Sequence, residues 1–320
     1  MNIEMKFALS MGLILLSTTA GYFARRRGYL PETFARAIMT VVLVVGYPAV
    51  GFLAIWKIPV HWQYAWLPVL GFAQATILAL IALGAGRWLF KDKLQRGMVG
   101  LACGVGNHGV TMAGFVVFLL FGDEGLGVNT IYAIYTFFAL VLLSYTIAQR
   151  YTPDATGQPI LVLMFRNLLH WRASGLYACL AAILLSSMGV SRPATFDEYP
   201  ILDSMIYLLI AVAYFSIGLR LHLPHLMEIK RAVLAVLVIR HGVGLGVGFA
   251  LAGLTYLTPW PMEGLARNVF VIQASVPIGV MGVAVANMFH IKPQQASALF
   301  IVSSVAYLAM GIPLVLWIFG

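Results

Sequence analysis

Leu101-Ala-Cys-Gly-Val-Gly-Asn-His-Gly-Val-Thr-Met-Ala-Gly114 is the stretch on which the reading of this chain turns. It sits inside an apolar run, Met98 to Phe121, long enough to cross a bilayer. Its centre, Gly104 to Gly109, nevertheless holds three glycines, an Asn and a His. Each glycine weakens a helix by about 1 kcal/mol relative to alanine. A membrane accepts unwound backbone only where protein buries it or it lines a cavity. A spanning helix interrupted at mid-depth is a common way for secondary transporters to build a binding site. The same letters match a dinucleotide-binding glycine pattern, but that pattern needs a preceding strand and a soluble βαβ unit, and neither is present.

Working outward, hydrophobic residues form 61% of the 320 and charged residues 10%, with a mean hydropathy of +0.92. Soluble domains carry about 25% charged residues, so the composition describes an all-α membrane protein with the lipid bilayer as its solvent. Ten apolar runs approach span length, at about 7–24, 37–56, 65–86, 98–121, 130–148, 173–190, 201–219, 232–257, 268–289 and 296–319. The net charge of +9 suggests nucleic acid until its distribution is examined. With the N-terminus outside, fifteen Lys/Arg fall in inner loops, four fall outside, and Arg240 lies within a span. That bias orients a protein in a cell's plasma (inner) membrane with both termini outside, and nucleic acid is not expected as a partner. The first run carries Arg25, Arg26 and Arg27 after it rather than before it, which reads as an uncleaved span.

The longest connection, Gln149 to Arg172, divides the chain into a first repeat (1–148), a linker (149–172) and a second repeat (173–320). Five spans per half place the halves in opposite orientation, an inverted repeat. Within the linker, Pro159 to Trp171 mixes apolar residues with Arg166 and His170, as a short interfacial helix does.

An inverted repeat pairs the fourth span with the ninth, which contains Gln273-Ala-Ser275-Val-Pro277-Ile-Gly279. Pro277 removes a helical hydrogen bond and clashes with the preceding turn. Both interruptions continue as Gly-Val, at Gly109-Val110 and Gly279-Val280. The fold expected is therefore ten transmembrane helices in two inverted five-helix repeats, with helices 4 and 9 broken and crossing. Where each helix restarts, unpaired N–H groups and a positive dipole end make an anion site. The halves that end there expose carbonyls able to hold a cation or a hydroxyl.

These residues resemble a known family. Gln273-Ala-x-x-Pro277-x-Gly279, then Asn287, His290-Ile-Lys-Pro293 and Gly311-Ile-Pro313, is similar to the end of the auxin efflux carrier (PIN-like) transporters. Phe215-Ser-Ile-Gly-Leu219, Val238-Ile-Arg240 with Gly244, Tyr47-Pro48, and Asn107 with Met112-Ala-Gly114 resemble further elements of that family. The likeness is specific only around the ninth span. Gly106 stands where the family has a proline, His108 where a small or hydroxyl residue is usual, and the long hydrophilic central loop of the plant carriers is absent. The resemblance implies a fold related to bile-acid symporters and sodium/proton antiporters. It also implies a homodimerising scaffold of spans 1, 2, 6 and 7, a mobile transport domain of spans 3–5 and 8–10, elevator-like movement, and organic-anion substrates.

The candidate substrate-binding residues are accordingly Gly106, Asn107, His108, Gln273, Ser275, Pro277 and Gly279. Asn107 either touches substrate or caps the unwound backbone. His108, the one ionisable side chain read at mid-membrane, either carries a proton in with the substrate or is a structural donor. Arg240 either pairs with a carboxylate or snorkels to the inner face, and Gln74 is its approximate counterpart in the first repeat. Gln273 and Asn287 can hold Na⁺ together with carbonyls. No metal spacing, cofactor motif or nucleophile–base set appears, so the sequence reads as a carrier of a small organic anion rather than an enzyme. The alternatives are a sodium-coupled anion symporter and, with no acid near the middle of any span, less readily a cation/proton antiporter.

Overall fold

The computed structural model describes residues 3–57, 64–109, 112–152, 157–199, 201–221 and 229–319, so Val110 lies outside the described residues. The elements are α1 (Ile3–Arg26), α2 (Phe34–Trp56), α3 (Trp66–Leu89), α4 (Lys93–Gly104), α5 (Ala113–Gly122) and α6 (Glu124–Tyr151). They continue with α7 (Ile160–Leu168), α8 (Ser174–Ser187), α9 (Ile201–Arg220), α10 (Lys230–Leu257), α11 (Gly264–Ala274), α12 (Val280–Met288) and α13 (Pro293–Phe319). Among the described residues there is no strand, only one isolated antiparallel bridge between Gly106 and Ile278. Among the described residues six helices are long and apolar enough to cross a membrane, or seven if the pair bent by 72° at α7 and α8 is taken as one. The helix pairs α4/α5 and α11/α12 are short pieces on either side of a break.

Local chemistry sets the boundaries. Asp92 starts α4 by accepting the Leu94 amide at 2.9 Å, relieving one of the donors a helix start leaves unpaired. Pro293 starts α13, where its missing N–H costs nothing. Gly122, at φ 63°, bends the chain between α5 and α6. The fifth apolar run thus begins earlier than its composition suggests, and Asn129 becomes a helical residue.

Among the described residues four helices contain a widened π turn, at Val42–Gly46 in α2, Ala139–Ser144 in α6, Val238–Val243 in α10 and Tyr307–Gly311 in α13. Such turns recur at functional sites because they rotate side chains out of the regular register. The one in α10 contains Arg240 and His241.

Stretches that the charge count assigns to one side meet at one end of the bundle. Arg220 pairs with Glu32 at 2.9 Å, Gln294 donates to Glu32 at 2.6 Å, and Lys292 pairs with Asp92 at 2.8 Å. Stretches assigned to the other side also join each other. Trp56 donates to the Val190 carbonyl, Arg192 to that of Leu53, and Trp66 to that of Trp260.

Candidate functional site

The two breaks lie side by side. Val105–Gly109 follows α4, Ser275–Gly279 follows α11, and the segments pair as a minimal antiparallel ladder. Asn107 N–H donates to the Pro277 carbonyl at 2.8 Å, and Gly279 N–H donates to that of Val105 at 2.9 Å. Backbone freed from one helix thereby satisfies backbone freed from the other, as a membrane interior requires. The ladder needs glycine at both ends. A Cβ on Gly279 would lie 2.5 Å from the Gly106 carbonyl oxygen, and one on Gly106 would overlap Arg240, Val276 and His108.

The carbonyl ends are not open. Arg240 donates through Nη1 to the Cys103 carbonyl at the end of α4, at 2.9 Å, and through Nε to Val276 at 3.0 Å. Gln74 donates through Nε2 to the Ala274 carbonyl at the end of α11, at 3.1 Å, and to Gly244 at 3.2 Å. Two of the carbonyls that the sequence reads as free to hold a cation or a hydroxyl, Cys103 and Ala274, therefore accept from side chains of α10 and α3. Arg240 is only 2% exposed, so it does not snorkel. Among the described residues it faces no carboxylate. Desolvating a guanidinium at this depth is costly, and two carbonyl dipoles offset only part of that cost.

His108 is bound on every side. Its Nδ1 lies 2.6 Å from Gln273 Oε1, and its Nε2 lies 2.6 Å from the Tyr135 hydroxyl. Gln273 Nε2 donates to Asn129 Oδ1, and Asn129 Nδ2 donates to the His108 carbonyl at 3.1 Å. An amide oxygen accepts only, so Nδ1 carries the proton, and Nε2 then accepts from Tyr135. In the neutral ring this places the single proton on Nδ1; the Tyr135 hydroxyl, which can accept as well as donate, also faces Nε2. Tyr132 and Tyr135 pack edge-on to the ring, with centroids at 5.1 and 5.3 Å.

Above the breaks lies a cavity of about 260 Å³. Its polar end is formed by Asn107, His108, Gly109, Asn129 and Thr130, with Gly106 and Gly279 in the floor. Val280 and Met281, in the first turn of α12, also line it, and their amides have no partner within their own helix. The opposite wall comes from α2 and α9, with Tyr47, Val50, Ala54, Leu209, Ile210, Ala213 and Tyr214. The cavity can hold a molecule with one polar, anionic end and an apolar body.

The remaining candidate residues are elsewhere. Gln273 is fully buried behind His108. Ser275 faces away from the cavity, where its carbonyl accepts from His241 Nδ1 at 2.7 Å. Pro277 contributes its carbonyl to the ladder. Asn287 lies further along α12, bonded to the Val283 carbonyl. Arg240 is beneath Gly106 and does not line the cavity. His241, missed in the sequence, is a second imidazole at the breaks, stacked on Tyr307 with centroids 5.8 Å apart. Tyr135 was missed because the apolar run of the fifth span masks it, and Asn129 because it falls just outside that run. The only signal was a polar residue one place before its estimated start.

No family model matches the chain. It is 25% identical, over 311 residues covering 94% of this chain and 95% of the relative, to an uncharacterized transporter of Methanocaldococcus jannaschii. A transporter relative of matching length, together with the apolar helices of the described residues, supports a multi-pass membrane transporter in general terms.

Proposed function

We propose that this chain is a carrier of a small organic anion, a monocarboxylate with an apolar body, and that it works by alternating access without sodium. The observation that carries this reading is Arg240, a guanidinium buried under the break with two carbonyls but no carboxylate among the described residues. A carboxylate in the cavity would supply the missing counter-charge and would meet the first amides of α12. Sodium sites at broken helices use carbonyls of the ending halves. Here Arg240 and Gln74 already donate to the Cys103 and Ala274 carbonyls, and Arg240 builds a positive charge into the protein.

The architecture proposed with it is ten spans in two inverted repeats, with α4/α5 and α11/α12 as the crossing pair. Three observations support it: the paired breaks, the matching roles of Gln74 and Arg240, and a π turn in the last helix of each half. A scaffold of α1, α2, α8 and α9, dimerisation through it, elevator-like movement, a plasma-membrane location and outside termini complete the proposal. They rest on the charge count and on the resemblance to the auxin efflux carriers.

The test is counterflow in proteoliposomes. Purified protein is assayed with labelled monocarboxylates of graded chain length, and with amines of the same size, with and without a sodium gradient. Monocarboxylate exchange indifferent to sodium is expected. Exchange of amines, or exchange only with sodium, would overturn the reading.

A further inference from the structure

At the basic end of the bundle, away from the cavity, α7 lies across the surface and turns through 72° into the following helix. One side of it is tied down. Leu163 is buried, and Asn167 accepts from Gln149 Nε2 at 2.7 Å and donates to Thr146 Oγ1 at 3.3 Å. The other side exposes Leu161 (78%), Phe165 (65%) and Leu169 (72%), which form an open groove with Arg166 and His170 along its edge. Trp171, 59% exposed, follows at once, with the Arg172 guanidinium over its ring at 5.4 Å.

Three large side chains in a row do not remain in water without cause. An apolar row, a tryptophan and a cationic edge match the boundary between acyl chains and headgroups. Among the described residues, neither Arg166 nor Arg172 has a carboxylate partner. A second copy of this face would bring those arginines against each other, so charge disfavours self-association there.

We propose that this groove binds an anionic phospholipid of the leaflet on that side, with an acyl chain along Leu161, Phe165 and Leu169 and the phosphate at Arg166. The site is independent of the transport reading, since none of its residues reaches the cavity. By anchoring α7 it holds the end of α6, to which Asn167 is bonded.

Full-length purified protein in mixed micelles is titrated with phosphatidylglycerol or phosphatidylcholine bearing brominated acyl chains. Quenching of Trp171 is read as the difference between parent and Trp171→Phe. Half-quenching is expected at about fivefold lower mole fraction for phosphatidylglycerol, the preference that one arginine confers at an anionic surface. Arg166→Gln should abolish that preference, Leu161→Ser should weaken both lipids equally, and added inorganic phosphate should change neither curve. Equal quenching by the two lipids, or a preference that survives Arg166→Gln, would overturn the proposal. So would displacement by inorganic phosphate, or light scattering showing that the protein associates through this face instead.

Discussion

Replacing Arg240 by Gln removes the buried charge while keeping a planar donor at the end of α4. The guanidinium packs against Gly106, which lines the cavity. If a carboxylate held at Asn107 is taken to lie about 8 Å from the guanidinium, at an effective dielectric of about 20, the attraction is about 2 kcal/mol, or about 30-fold in affinity. A structural cost accompanies it. Glutamine reaches one of the two carbonyls, Cys103 or Val276, and the orphaned one costs about 1–3 kcal/mol. Arg240→Lys separates the two effects, because it keeps the charge and loses the fork. Binding of the monocarboxylate identified in counterflow is measured on purified parent, Lys and Gln proteins, with melting temperatures alongside. The Lys variant should bind within a few-fold of the parent and the Gln variant about 30-fold more weakly, while both melt earlier. If the Gln protein binds as tightly as the parent, the charge under Gly106 does not act on the ligand and the anion argument fails.

His108→Gln should leave the pH profile of counterflow superimposable on the parent's between about pH 5 and 8, where a free imidazole titrates. The ring is buried and its partners, Gln273 and Tyr135, are neutral, with no carboxylate beside it among the described residues, and a profile that flattens in the mutant would show that it carries a proton after all. Gln74→Leu strips the donor from the Ala274 and Gly244 carbonyls. It should lower stability by about 1–3 kcal/mol per orphaned group, read as a fall in melting temperature, and an unchanged melt would mean that the cap is dispensable. Burial would raise the Asp92 carboxyl, but the Lys292 hydrogen bond and charge and the Leu94 amide together hold it below its ordinary value. Because the folded value is depressed, the contribution is present near neutrality and fades as pH drops below about 3.9. For so exposed a pair it is at most about 1 kcal/mol. The melting difference between parent and Asp92→Asn should vanish in acid, and a constant difference across pH would remove the ion pair from the account.

The residue pattern by itself determined the helical, membrane-embedded class, the positions of the two interruptions and the grouping of the loops by charge. Each of these follows from one-dimensional quantities: apolar run length, glycine and proline placement, and Lys/Arg counts. Gly106 and Pro277 announce broken helices whatever surrounds them, because their effect is on their own backbone. What the breaks do was decided only in three dimensions. Cys103 and Ala274 end their helices with carbonyls that look free in sequence, and only the packing of α10 and α3 brings Arg240 and Gln74 onto them. His108 reads equally as proton carrier or structural donor, and only the fold brings Gln273, some 165 positions away, to supply the acceptor that fixes its tautomer. Tyr135, inside an apolar run, and Asn129, just before it, become visible as site residues only once α6 packs beside the break. The division is physical: local backbone preference is encoded where it acts, whereas the state of a buried polar group depends on partners that only the fold brings within 3 Å.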